Sequence, residues 1–114
     1  MKIVTPDING AARDQWLYLA LSFGLSKEDV SAELPQSGTR VVIQPADGHN
    51  VQGTVSLVDF VHPEDAVYIF GGDDGFMEPI EADHYVYIPT PPTWELYASQ
   101  AGAIVIWDRT IKNG

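Results

Sequence analysis

Apolar positions along the chain change their spacing several times, and each change marks an element. Residues 2–5, KIVT, form a short apolar run closed by Pro6, the mark of a buried strand. Residues 6–10, PDING, carry turn chemistry in Asp7, Asn9 and Gly10. From 11 to 23 the spacing becomes helical. Trp16, Leu19, Ala20 and Phe23 recur at three- and four-residue intervals, and Gly24 is placed to end the helix. Ser26, followed three residues later by Asp29, predicts a capped start for a short second helix over 26–34.

The β-branched run TRVVIQ, 39–44, reads as a strand ended by PADGHN. The next stretch, VQGTVSLVDFVHPED, has two readings: a weak hairpin strand in its first half, or a helical turn in SLVDFV before Pro63. AVYIF (66–70) and YVYIP (85–89) are apolar throughout, which predicts strands buried on both faces. The tail, 93–112, has the length and the Glu95-to-Gln100 composition of a helix, although IVIW alone suits a strand. Strands thus alternate with helices. That order predicts a single α/β domain over 1–114, a mostly parallel sheet covered on both faces. Ligands of open parallel sheets bind at loops after the carboxyl ends of strands, so the loops after residues 4, 44, 70 and 89 are the candidates.

Composition narrows the chemistry. No run approaches the roughly 18–20 apolar residues of a membrane span, and MKIVTPDING lacks the apolar core of a signal peptide. A soluble, cytoplasmic chain without membrane partners is the expectation. With no cysteine, disulfides, thiolate metal sites and Cys–His catalysis are excluded. The net charge of −10 sets sixteen acids against Lys2, Arg13, Lys27, Arg40, Arg109 and Lys112, a poor footprint for phosphate binding.

The loop FGGDDG, 70–75, is either a tight turn with solvated aspartates or a place where backbone groups approach a small molecule. It lacks the GK[ST] of a phosphate cradle and the alternating acids of a calcium loop. His49, His62 and His84 lack metal-site spacing, and no metal is expected. Trp94, Tyr97 and Trp107 read as core or interface side chains. Ala98, Ala101, Gly102 and Ala103 beside them invite close packing against a loop, a ligand or a partner.

Three stretches in order, AVYIFGGDDG, ADHYVYIPT and ELYASQAGAIVIWDR, resemble the second and third motifs of the SpoU/TrmH branch of the SPOUT RNA methyltransferases. That family reads approximately as an apolar strand into F-G-x-E-x-G, then D-x-x-V-x-I-P, then S-L-N and an Ala-rich helix. Phe70, Gly71, Asp73 and Gly75 fall on the first part. Asp83, Val86, Ile88 and Pro89 fall on the second, and Leu96, Ala101 and Gly102 on the third. The resemblance runs over nearly the whole chain and is strongest from 56 to 109.

The resemblance implies a C-terminal trefoil knot, a homodimer served by the small-residue helix, S-adenosylmethionine as cofactor and structured RNA as substrate. The implied reaction is ribose 2′-O-methylation. Its implied cofactor residues are Gln44, Phe70, Gly71, Gly75, Ile88, Pro89 and Leu96, in a pocket formed by 44–47, 71–75 and 88–92. Its candidate catalytic residues are Arg13, Tyr97 and Asp73. The departures are specific. S-L-N becomes Glu95-Leu96-Tyr97, and the family's Glu becomes Asp73. Against the expected N-x-G-x-x-x-R, Asn9 and Gly10, and Gly10 and Arg13, each stand one residue too close together in NGAAR, and Tyr18 stands where counting back from Phe23 puts the Arg. Arg13 either does that work from a longer helix or is an ordinary surface arginine. The alternatives are a catalytically silent knotted dimer that binds the cofactor or a protein partner, and an unrelated small α/β domain.

Overall fold

In the computed structural model, residues 1–44, 52–71, 80–91 and 96–114 are described. Six strands pair in parallel: β1 (Lys2–Val4), β2 (Val30–Ser31), β3 (Thr39–Gln44), β4 (Val55–Ser56), β5 (Ala66–Ile69) and β6 (His84–Tyr87). Their order across the sheet is β2-β1-β5-β3-β6-β4. Two α-helices accompany them, α1 (Arg13–Ser22) and α2 (Ala98–Asn113). Among the described residues, no helix is long and apolar enough to cross a membrane.

Both helices pack on one face of the sheet. Trp16, Leu19 and Ala20 of α1 and Val105 and Ile106 of α2 share a core with Ile3, Val41, Ile43, Tyr68 and Val86. Alternate residues of the same strands point the other way: Val4, Val42, Val67 and Ile69 are buried against Ile80, Ala82 and Tyr85. The Tyr85 hydroxyl donates to Ile80 O at 2.7 Å and accepts from Ala82 N at 3.1 Å, which holds that segment over the second face. The sheet is covered on both sides, and among the described residues the α-helices lie on one of them.

Helix α1 ends as its sequence predicts. Gly24 has φ +76°, Leu25 N donates to Ala20 O, and Gly24 N donates to Leu21 O, the two bonds of a Schellman turn. A helix over 26–34 does not form. Ser26 and Asp29 make the expected cap, Ser26 N donating to Asp29 Oδ2 at 3.1 Å, but it closes a single 3-10 turn, Lys27–Asp29. Val30 then leaves to pair beside Ile3, where its side chain is buried. Strand pairing and burial outweigh the local helix signal. Both readings of the 52–64 stretch hold in part. Val55–Ser56 is a strand, parallel to β6 rather than in a hairpin, and Leu57–Asp59 is one 3-10 turn.

Two further expectations are corrected. β5 is buried throughout, but in β6 only Val86 is buried, with His84 exposed. β6 has only the two-residue β4 outside it, so little covers its flanks. The last helix begins at Ala98 rather than 93, because Tyr97 is extended and its N–H donates to Gln100 Oε1 at 2.8 Å, capping the first turn. The path that would close a knot runs through 72–79 and 92–95, outside the described residues.

Gly38 holds the entry to β3. Its φ is +110°, and an added Cβ would sit 2.6 Å from Val67 Cγ2 and 3.0 Å from Asp65 O. Gly38→Ala is expected to cost about 1–3 kcal/mol, read as a lower urea midpoint at unchanged m value.

Candidate functional site at the carboxyl edge of the sheet

Because the strands are parallel, their carboxyl ends share one edge. Val42 pairs with Ile69, the last residue of β5, and Gln44, the last residue of β3, pairs with Tyr87, the last residue of β6. The loops after Gln44, Ile69 and Tyr87 therefore leave neighbouring strands at the same edge of the sheet. Phe70 and Ile88 are buried in the core shared with the helices, Phe70 with its ring 5.2 Å from Trp16. These two offer a ligand their backbone groups, not their side chains. Pro89 is exposed, and Leu96 and Tyr97 are exposed immediately before α2. Asp73, Gly75 and the rest of the expected pocket, 45–47, 72–75 and 92, lie outside the described residues.

Thr5, to which the sequence reading assigned no role, ties this edge together. It is fully buried at the end of β1; its Oγ1 accepts from Asp7 N at 3.2 Å and lies 3.5 Å from Gly71 O, toward which it donates. Asp7 Oδ2 in turn accepts from Trp16 Nε1 at 3.4 Å. The turn after β1 is thereby joined both to the loop after β5 and to α1. Its only sequence signal is the Thr-Pro-Asp pattern, a cap for the 3-10 turn Pro6–Asn9.

Arg13 opens α1, exposed, with Nη1 donating to Ile8 O at 3.3 Å. It is reached from the carboxyl end of β1 through the 3-10 turn Pro6–Asn9. Four others lie toward the amino edge, and Lys112 binds the segment that follows β4. Lys2 begins β1 and bonds Asp29 at 2.8 Å. Lys27 precedes β2, and Arg40 stands near the start of β3. Arg109 donates to Pro63 O and Glu64 O, just before β5. Lys112 donates to Leu57 O, Val58 O and Phe60 O. Arg109 and Lys112 thus fasten α2 to the 57–64 segment.

Asp83 has a structural task too. Its Oδ2 accepts from Arg40 N at 2.9 Å, and its own N–H donates to Arg40 O, clamping the start of β6 to β3.

The small residues of α2 also serve the interior. Gly102 is buried against the Trp16 ring, and Ala98, Ala101 and Ala103 pack on the core as well. Tyr97 and Trp107, expected in a core or interface, are 65% and 59% exposed. Ser99 Oγ donates to Gln15 Oε1 at 2.8 Å, joining the first turns of the two helices. Beside them, an open groove of about 620 Å³ runs between Tyr18, Phe23 and Ala103. His62 and His84 flank the Phe60 ring at 5.1 and 5.4 Å. Among the described residues, no three His, Asp or Glu side chains gather in a metal-holding group.

Compared with protein-family models and with curated proteins, the chain matches none.

Proposed function

We propose that this chain binds S-adenosylmethionine at the carboxyl edge of its sheet and methylates a ribose 2′-hydroxyl of structured RNA in the cytoplasm. It would act as a minimal, divergent SPOUT-type enzyme with a C-terminal trefoil knot. One observation carries this reading: β3, β5 and β6 are parallel neighbours, so the loops that follow them leave the same edge of the sheet, the edge at which β1 also ends on the way to Arg13 at the start of α1. The fit to the cofactor rests on backbone. A nucleoside asks for an apolar slot with a few well-placed N–H and C=O groups, and a residue without a Cβ at 71 leaves room for close approach. When bound, S-adenosylmethionine supplies an electrophilic methyl group.

The chain's own task is the hydroxyl. A ribose 2′-OH is a poor nucleophile and loses its proton as it attacks. The Arg13 guanidinium, a permanent cation with five donors, stabilises the developing negative charge on that oxygen. Tyr97, exposed at the entry to α2, orients the ribose. A homodimer belongs to the same reading. With Gly102 turned inward, the surface of α2 left for it is the outward Ile104, Trp107 and Ile111.

A second reading is favoured by the charge distribution: a catalytically silent dimer that binds the cofactor or a protein partner. Four of the six bases, Lys2, Lys27, Arg40 and Arg109, stand at the amino ends of strands, and the net charge is −10, so RNA meets little attraction at the candidate edge. Calorimetric titration with S-adenosylmethionine and S-adenosylhomocysteine, beside a methyl-transfer assay on total RNA, separates the readings. Binding with transfer supports the enzyme, and binding without transfer supports the silent dimer. No binding rejects the enzyme and the cofactor-binding dimer, and leaves a partner-binding protein or an unrelated small α/β domain. Gly71→Val is expected to abolish cofactor binding while the far-UV spectrum stays native; normal binding by that variant would put the pocket elsewhere.

A further inference from the structure

A polar relay lies beneath α2, and the proposed chemistry does not use it. The directions of its hydrogen bonds follow from which groups can donate. Arg109 has no acceptor, so the Tyr68 hydroxyl oxygen accepts from its Nη1 at 3.1 Å. Tyr68 then gives its own hydrogen to His62 Nδ1 at 2.6 Å, which requires that nitrogen to be bare. The ring's one hydrogen sits on Nε2 and is donated to Asp108 Oδ2 at 2.6 Å. The same carboxylate oxygen meets Lys112 Nζ at 2.9 Å. The His62 side chain is wholly buried. Around it, Arg109, Lys112 and Asn113 bind backbone carbonyls of 57–64, so the last turns of α2 are fastened to that segment through one cluster.

We propose that His62 is an acid-sensitive latch: its neutral ring holds the C-terminal turns of α2 against segment 57–64, and protonation releases them. A proton on Nδ1 turns an acceptor into a donor facing the Tyr68 hydroxyl. The Tyr68 hydrogen then has lost its acceptor in a buried place. The new cation also faces Arg109 and Lys112, with Asp108 as its anionic partner and the Phe60 and Tyr68 rings on its sides.

Burial is the main cause that holds the His62 pKa below its ordinary 6.5; the bond to Asp108 pulls the other way, and Lys112 and Arg109 add to the lowering. The folded pKa lies below the unfolded one. The network therefore contributes fully above the unfolded value and is lost as pH falls through the depressed folded value.

Amide hydrogen exchange on the full chain, corrected for intrinsic pH dependence, tests this. Between about pH 7.5 and about pH 5, protection of amides 106–113 is expected to fall about tenfold or more relative to β3 and β5. In His62→Gln that extra fall should vanish. Unchanged wild-type protection, or an equal fall in His62→Gln, overturns the proposal. If the variant does not fold, nitrogen-15 shifts of the wild-type ring decide. The Nε2–H tautomer at neutral pH, titrating together with the loss of α2 protection, is the expected result. An Nδ1–H tautomer, or a titration unlinked to α2, overturns the latch.

Discussion

Gly102→Val should destabilise the chain by about 3 kcal/mol or more, a large share of the roughly 5–15 kcal/mol that holds a domain folded, read as a much lower urea midpoint. A Cβ at this position would lie 2.7 Å from Trp16 Cζ3 and 2.9 Å from Cη2. The indole cannot step aside. It is fully buried, its ring lies 5.2 Å from Phe70, and its N–H is held by Asp7. Gly102→Ala is the sharper version of the experiment. Alanine favours a helix interior over glycine by about 1 kcal/mol, so a stabilised variant is what propensity alone would give. The contact with Trp16 is expected to outweigh that gain and lower the urea midpoint. A rise in the midpoint would mean that α1 and α2 are not packed as described.

Arg13→Ala is expected to lower methyl transfer at least about a hundredfold, the usual scale for losing a group that assists proton loss or stabilises the resulting charge. Cofactor affinity should stay within about threefold, because the side chain acts on the ribose oxygen and not on the cofactor. The side chain has one hydrogen bond within the fold, to Ile8 O, and is exposed, so its removal costs little stability. The measurements are single-turnover transfer on RNA and calorimetric affinity, run on the same preparation. Full activity in this variant would make Arg13 an ordinary surface arginine.

What was legible in the sequence was local and strongly patterned. The run TRVVIQ forms β3 over its whole length, and Trp16, Leu19 and Gly24 locate the buried face and the end of α1. The parallel sheet followed from the alternation of such segments. The misreadings came where a distant partner decided the outcome. Ser26 and Asp29 carry a helix-start signal that is real, yet Val30 gains more by pairing with Ile3. The small residues of α2 invited close packing against a loop, a ligand or a partner, and Gly102 uses that closeness on Trp16 of the same chain. No spacing rule joins His62, Tyr68 and Asp108, which are brought together only when α2 folds back over β5. At the candidate site, the shared edge of the strand ends was expected from the parallel order. The tasks of Arg109 and Lys112 were not, because their carbonyl partners at 57–64 are reached only when α2 folds back on that segment.

The order β2-β1-β5-β3-β6-β4 has one more consequence, for how the molecule meets copies of itself. Both outermost strands are two residues long, Val30–Ser31 on one margin and Val55–Ser56 on the other. An outer strand is a template on which a foreign strand can add, and its strength grows with the number of free backbone groups in a row. Two residues offer too short a row to seed such growth, while the long, apolar β3 and β5 are enclosed in the middle of the sheet. Aggregation by strand addition should therefore require loss of an outer strand first, and lengthening β4 toward Leu57 would be the change most apt to invite it.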